Sequence, residues 1–124
     1  MTTTDEHSTR KHRIQTTNGY KRVYDEALDY IRERYPNTGL SLGSFCSYRH
    51  YSVRHVQRAL LWFGTTWRAL LTEFRVKRAQ ILMRETDLTI TSIATQVGFT
   101  HSSHLAKAHR RVHGMTPSEY RGRV

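Results

Sequence analysis

Residues 90–99 read ITSIATQVGF, and residues 42–51 read LGSFCSYRHY. Both stretches place apolar or small residues at their first, fourth, fifth and tenth positions. This spacing is typical of a short amphipathic helix that is followed by a tight turn. Because each of these positions recurs 48 residues later, the chain contains an internal repeat.

The repeat continues beyond the turn, with one inserted residue. Val56 and Arg58 match Leu105 and Lys107, which follow them by 49 positions rather than 48. Each copy therefore consists of a short helix, a tight turn and a longer helix. This order is typical of the helix-turn-helix motif, whose second helix enters the major groove of DNA. A plain helical bundle with a coincidental similarity is the alternative interpretation.

A long helix is predicted between the two copies. Apolar residues recur there at helical spacing from Trp67 to Met83, which indicates a helix over about residues 66–84. Nineteen helical residues span roughly 28 Å at ~1.5 Å per residue. That length is close to the ~34 Å between successive major-groove faces of B-DNA. The spacing favours two units that bind adjacent segments of one duplex.

The remaining elements are also predicted to be helical, and no convincing strand pattern occurs. We expect an all-α fold of about seven helices, in which the long linker helix joins two helix-turn-helix subdomains. The expected divisions are a flexible basic tail, a first subdomain, the linker helix and a second subdomain, at residues 1–19, 20–64, 65–85 and 86–124.

The chain is short and strongly basic. It has 124 residues and a formal net charge of +10, from 20 Lys and Arg against 10 Asp and Glu. Such an excess favours an anionic partner, which can be DNA, RNA or a membrane surface. No apolar run approaches the ~18 residues of a membrane span, and no apolar signal-peptide core is present. The single cysteine, Cys46, fits a reducing compartment, so we expect a cytoplasmic, nucleoid-associated protein without membrane contact.

The second helix of the first copy carries the best candidates for base contacts. Its residues predicted to face the core are Val53, Val56, Leu60 and Phe63. Arg54, Gln57 and Arg58 then share the outer face. Arginine can read guanine and glutamine can read adenine through paired hydrogen bonds. The alternative is that the arginines contact only phosphates, as most protein–DNA hydrogen bonds do.

The matching helix of the second copy presents smaller side chains. Its outer face is predicted to hold Ser102, Ser103, Ala106 and Lys107. Small side chains allow a close approach to DNA but discriminate weakly between bases. This unit is therefore expected to anchor the protein more than it specifies a sequence.

Other basic residues are candidates for contacts with DNA phosphates. For each of them, a solvated surface charge is the alternative interpretation. The candidates are Arg49, His55, Arg68, Arg75, Arg78, His104, Arg110, Arg111 and Arg121.

The histidines near the C-terminus do not favour a metal site. His101, His104, His109 and His113 have spacings that can place pairs on one helix face, as in zinc sites. However, no cysteine lies nearby and the helix contains no acidic residue. We therefore expect partly buried or DNA-facing histidines, and no metal, cofactor or catalytic site.

Several motifs give the chain a family resemblance. They are Arg75-Val76-x-x-Ala79-x-x-Leu82-Met83, Ile90-x-x-Ile93-Ala94-x-x-Val97-Gly98-Phe99 and Gly114-Met115-Thr116-Pro117-Ser118-Glu119-Tyr120-Arg121. With these motifs, residues 20–121 resemble the AraC/XylS family of bacterial transcription regulators. The resemblance implies two helix-turn-helix subdomains bound to consecutive major-groove faces of an asymmetric site. It also implies a stand-alone, monomeric member without an effector domain, with base contacts at the residues proposed above.

Three features depart from the family pattern. His50 replaces a small turn residue, and histidine adopts a positive φ only at some cost. His109 replaces a core aromatic, which is expected to loosen the second subdomain. The second helix of each copy is called its reading helix. The outer face of the reading helix in the second copy lacks long polar side chains other than Lys107.

Two functions remain open from the sequence. The leading hypothesis is a sequence-specific transcription regulator that binds double-stranded DNA as a monomer, with RNA polymerase as a candidate partner. The alternative is a DNA-architectural or recombination accessory factor, for example from a mobile element, that uses the same fold. Neither hypothesis involves an enzymatic activity.

Overall fold

The computed structural model describes the backbone of residues 2–124 and the side chains of residues 17–124. Seven helices follow one another, and no strand occurs within the described backbone. They are α1 (Thr2–Arg34), α2 (Leu42–Arg49), α3 (Val53–Trp62), α4 (Trp67–Glu85), α5 (Ile90–Gln96), α6 (Ser102–His113) and α7 (Pro117–Arg123). This architecture confirms the all-α fold with two helix-turn-helix units, α2–α3 and α5–α6.

The start of α1 corrects one expectation. Helical backbone reaches upstream to Thr2, whereas the sequence predicted a tail through Gly19. Apolar periodicity reports which helical positions are buried, so a polar extension of a helix leaves no such pattern. Residues 10–13 (RKHR) are the basic part of the predicted tail, and the structure does not describe their side chains.

Two hydrophobic cores share α4. The first contains α1, α2 and α3 together with Trp67, Leu70 and Leu71 from the start of α4. The second contains α5 and α6 together with residues from the rest of α4, including Val76 and Ala79. Because α4 supplies part of each core, it is a common spine rather than an exposed linker. Within the described residues, no helix is long and apolar enough to cross a membrane.

The turns of the two units have the same local geometry. His50 ends α2 with φ 59°, and Gly98 lies at the matching point with φ 101°. The next residue then donates its backbone N–H back into the short helix, from Tyr51 to the Cys46 carbonyl at 3.0 Å and from Phe99 to the Ala94 carbonyl at 2.9 Å. The left-handed conformation expected for His50 is confirmed.

The reading helices bury the faces that the repeat predicts, with two exceptions. Val56 and Leu60 of α3 are buried, as is Leu105 of α6. Val53 and Phe63, which were predicted to face the core, are 45% and 40% exposed. Val53 is the first residue of α3, and Phe63 lies just past its end. A helical pattern therefore does not determine the direction of either side chain.

Candidate nucleic-acid interface

The charges of the chain are segregated by element. The four helices of the two helix-turn-helix units, α2, α3, α5 and α6, contain no Asp or Glu. The acidic residues of α1 that have described side chains are Asp25, Glu26, Asp29 and Glu33. The two units therefore present cationic surfaces that carboxylates of their own helices do not neutralise, which suits a polyanion.

The first reading face is open and uncommitted. Arg54, Gln57 and Arg58 are all exposed on the side of α3 opposite to its buried residues. Among the described residues, none of these three side chains has a hydrogen-bond or ion-pair partner. Their spacing of three and four residues places them on one face, as predicted. They are free to contact base edges, and that role remains a prediction.

The second reading face is narrower than expected. Ser103 and Lys107 are exposed one turn apart on α6, whereas Ser102 and Ala106 are partly covered. Leu105 and Ala108 are buried beneath them. The open part of this face therefore consists of one hydroxyl and one ammonium group.

A cationic cleft lies between α4 and α6. It has a volume of about 250 Å³, and its lining includes Arg68, His104, Lys107 and Arg111. A neighbouring hollow of about 370 Å³ shares Arg68 and Arg111 and also has Glu73 in its lining. The structure thus brings three of the candidate phosphate contacts, Arg68, His104 and Arg111, to one concave surface. Such a concave surface can accommodate a phosphodiester backbone.

Arg75 leaves the set of candidate phosphate contacts. Its side chain is only 8% exposed, and burial lowers its pKa. Its Nε donates to the Tyr35 carbonyl at 2.9 Å, and its Nη2 donates to the Asn37 carbonyl at 2.8 Å. The guanidinium is therefore committed to the fold and has no free edge for DNA.

Arg121 is a second correction of the same kind. Its three guanidinium nitrogens donate to the carbonyls of Met83, Thr86 and Leu88, at 3.3, 3.1 and 2.5 Å respectively. Carbonyls at a helix C-terminus have no partner within the helix, and a basic side chain can satisfy them. Arg121 caps the end of α4 instead of facing DNA.

The other candidate phosphate contacts differ in whether their side chains already have partners within the protein. Arg110 is exposed, and it has no polar partner among the described residues. Arg49 lies 3.6 Å from a Glu26 carboxylate oxygen, and Arg78 donates to the Tyr35 hydroxyl at 3.3 Å. The His55 ring packs between two tyrosine rings, 5.9 Å from Tyr20 and 5.5 Å from Tyr51. Arg49 and Arg78 would have to loosen these contacts before they could bind a phosphate.

Sequence reasoning missed an apolar extension of the first reading face. Leu61 lies one turn beyond Gln57 and Arg58 and is 63% exposed. With Gln57 and Trp67 it lines an open hollow of about 540 Å³. An apolar side chain at a reading face can contact the methyl group of thymine. The signal in the sequence is the run of four apolar residues at 60–63 (LLWF). A helix that buries one face needs apolar residues only every three or four positions, so some residues of this run must be exposed.

His109 has polar partners within the fold. It is fully buried, with Nδ1 at 2.6 Å from the Met115 carbonyl and Nε2 at 3.2 Å from the Gln80 amide nitrogen. Nδ1–H must donate to the carbonyl, so Nε2 accepts from the amide. Both ring nitrogens therefore have hydrogen-bond partners, and the loosening of the second subdomain expected from this residue stays a prediction.

The search for metal ligands covers only the described residues. No group of three or more His, Cys, Asp or Glu residues that could hold a metal occurs in the part of the chain searched. Cys46 is buried in the first core, and burial raises the pKa of its thiol. A thiol in such surroundings behaves as a small apolar side chain.

The chain is similar to known helix-turn-helix proteins. A helix-turn-helix domain model matches residues 45–123. An uncharacterized HTH-type transcriptional regulator of Mycobacterium tuberculosis is 40% identical over 67 residues, which are 54% of this chain and 20% of the relative. The raffinose operon transcriptional regulatory protein RafR of Pediococcus pentosaceus is 29% identical over 99 residues, or 79% of this chain and 35% of RafR. The chain thus spans between about a fifth and a third of these relatives.

Solved structures with the same fold include DNA-binding domains. The C-terminal domain of AraT, a response regulator from Geobacillus stearothermophilus, has a TM-score of 0.78 and 26% identity over 82% of this chain and 85% of that one. A transcriptional regulator with an AraC-type DNA-binding domain from Chromobacterium violaceum has a TM-score of 0.75 and 25% identity, over 85% and 94%. The DNA-binding domain of AdpA, solved with a target DNA, shares the fold at a TM-score of 0.69 and 24% identity, over 83% and 89%.

Proposed function

Because the chain belongs to the AraC-type helix-turn-helix family of DNA-binding transcription regulators, we propose that it recognises a specific two-part DNA site. In this proposal one monomer binds, and α3 and α6 enter adjacent major-groove segments of one duplex. One observation carries the proposal. Both helix-turn-helix units lack carboxylates and expose uncommitted polar and cationic side chains on their second helices.

The geometry of α4 supports simultaneous binding by both units. Its 19 residues correspond to roughly 28 Å of helix, which is near the ~34 Å repeat of the major groove. The cleft that contains Arg68 and Arg111 lies between α4 and α6, where the DNA backbone between the two segments would pass. The AdpA domain, which has the same fold, was solved with a target DNA. This precedent supports double-stranded DNA as the partner.

The two units are proposed to have unequal roles. Arg54, Gln57 and Arg58 of α3 can form directional hydrogen bonds with base edges. The open part of α6 offers only Ser103 and Lys107 for the same purpose. The first unit then provides most of the sequence specificity, and the second provides most of the anchoring through its cations.

Selection of binding sites from random duplex DNA tests the proposal. We expect an enriched site with two sequence segments about one helical turn apart and a stronger sequence preference in the segment bound by α3. The complex should contain one chain per duplex by native mass measurement. Selection without any enriched sequence, or a complex of two chains on one site, would overturn the corresponding part of the proposal.

RNA polymerase is proposed as the second partner, and the nucleoid as the place of action. Genome-wide occupancy tests this part. Promoter-centred sites, together with a change in transcription of a template that carries the selected site, are expected for a regulator. Clustered sites with strong DNA bending and no effect on transcription would favour the architectural alternative, which the relatives reported above do not support.

A further inference from the structure

Arg75 lies where the two helix-turn-helix units meet. It belongs to the middle of α4, and its guanidinium bridges the Tyr35 and Asn37 carbonyls of the segment that joins α1 to α2. The Phe99 ring of the second unit lies 5.9 Å from the same guanidinium, within the range of a cation–π contact. One buried side chain of the shared helix therefore contacts both the segment that leads into the first unit and the turn of the second unit.

Gly98 shows how closely the second unit approaches this point. A Cβ atom at Gly98 would lie 2.3 Å from the Tyr35 carbonyl oxygen and 2.7 Å from Arg75 Nε. The glycine also has a φ of +101°, which other residues rarely adopt. The turn of the second unit is thus pressed directly against the chain segment that Arg75 holds.

Each side of this junction leads to a reading helix. On one side, Tyr35 and Asn37 follow the end of α1, and α1 packs along α3 in the first core. On the other side, Gly98 and Phe99 belong to the turn that immediately precedes α6. Two small units that share only one helix are expected to move relative to one another unless a further contact joins them. The contacts of Arg75 provide such a joint.

We propose that Arg75 is a positioning residue that fixes the distance and rotation between α3 and α6, and thereby the spacing of the two DNA segments. This inference rests on the function proposed above. The planar guanidinium with its two carbonyl partners defines a direction as well as a distance, which a single ammonium group cannot do. Rigid spacing matters because binding by two linked units gains affinity only when both can engage at once.

The test measures spacing selectivity rather than affinity alone. The full chain is titrated with the selected site and with the same site after one base pair is inserted between its two segments. The insertion shifts the second segment by about 3.4 Å and rotates it by roughly 34°. For the wild type, we expect the insertion to lower the affinity about a hundredfold, because only one unit can then bind well.

Arg75→Met removes both hydrogen bonds but retains most of the side-chain volume. We expect it to lose no more than about tenfold on the same insertion, because a looser joint lets the units follow the altered spacing. Arg84→Met is the matched control. Arg84 also lies on α4, but its hydrogen bond at 2.7 Å goes to Tyr120, at a distance from the junction. Its spacing selectivity should equal that of the wild type.

The outcomes separate this inference from the proposed function. A wild type that binds a two-part site but loses less than about threefold on insertion would overturn the inference while the function stands. Suppose that folded Arg75→Met binds the selected site and the site with the insertion more weakly than the wild type by the same factor. Arg75 then only stabilises the fold, and the inference is overturned. If Arg75→Met does not fold, Arg75→Lys is measured instead, with the same expected direction. If the wild type has no sequence preference at all, the proposed function itself fails.

Discussion

At the scale of single residues, Arg58 offers the clearest test of base reading. It is exposed in the middle of the first reading face and has no polar partner in the described part of the chain. Arg58→Ala should weaken binding to the selected site by about 1–3 kcal/mol and relax the preference at one base pair. Titrations against the selected site and its single-base variants measure both effects.

Arg110→Ala is the matched control for this prediction. Arg110 is also exposed and unpaired among the described residues, but it lies near the end of α6, beyond Lys107. Its loss should weaken binding to all sequences by a similar factor, as expected for a phosphate contact. If Arg58→Ala behaves in the same way, Arg58 contacts a phosphate and the assignment to base reading is wrong.

His109 gives a second prediction at this scale, which concerns stability. His109→Phe would restore a core aromatic but leave the Met115 carbonyl and the Gln80 amide without their present partner. An unsatisfied buried polar group costs about 1–3 kcal/mol, so we expect a lower free energy of unfolding. Urea denaturation measures it. A variant as stable as the wild type would show that the two hydrogen bonds contribute nothing net.

At the scale of elements, the two reading helices begin differently. The Ser52 hydroxyl accepts a hydrogen bond from the His55 backbone N–H at 3.1 Å, whereas His101 makes no side-chain cap at the start of α6. His101→Ser should therefore raise the free energy of unfolding by about 0.5–1 kcal/mol, and Ser52→Ala should lower it by about as much. Thermal or denaturant unfolding of both variants checks the pair. No gain in His101→Ser would mean that the contact of His101 with the His104 ring stabilises α6 equally well.

The elements also show what the sequence can predict. The repeat predicted both helix-turn-helix units, because buried positions in a short helix recur with a fixed spacing. It did not predict that α1 begins at Thr2, because the upstream residues are polar and leave no periodic pattern. It misplaced Val53 and Phe63 because helix ends do not hold side chains on one face.

At the scale of the whole molecule, two groups of arginines have opposite surroundings. Arg75, Arg78, Arg84 and Arg121 donate to carbonyl or hydroxyl groups of the fold, whereas Arg54, Arg58, Arg68, Arg110 and Arg111 have no such partner among the described residues. The total charge and the anionic class of partner follow from the sequence. The sequence cannot separate these two groups, because it does not show whether an arginine side chain has carbonyl partners within the fold or is free to bind a phosphate. The net charge of +10 therefore overstates the number of phosphate contacts.

The salt dependence of binding measures how many cations the complex actually uses. For each phosphate that the protein neutralises, the logarithm of the binding constant should fall by about 0.9 per unit of log salt concentration. Arg68 and Arg111 share the cleft between α4 and α6, so Arg68→Ala and Arg111→Ala should each reduce the slope by about 0.9. Arg84→Ala, which breaks a hydrogen bond to Tyr120, should leave it unchanged. If the slope is the same in all three variants, the cleft between α4 and α6 does not bind the DNA backbone.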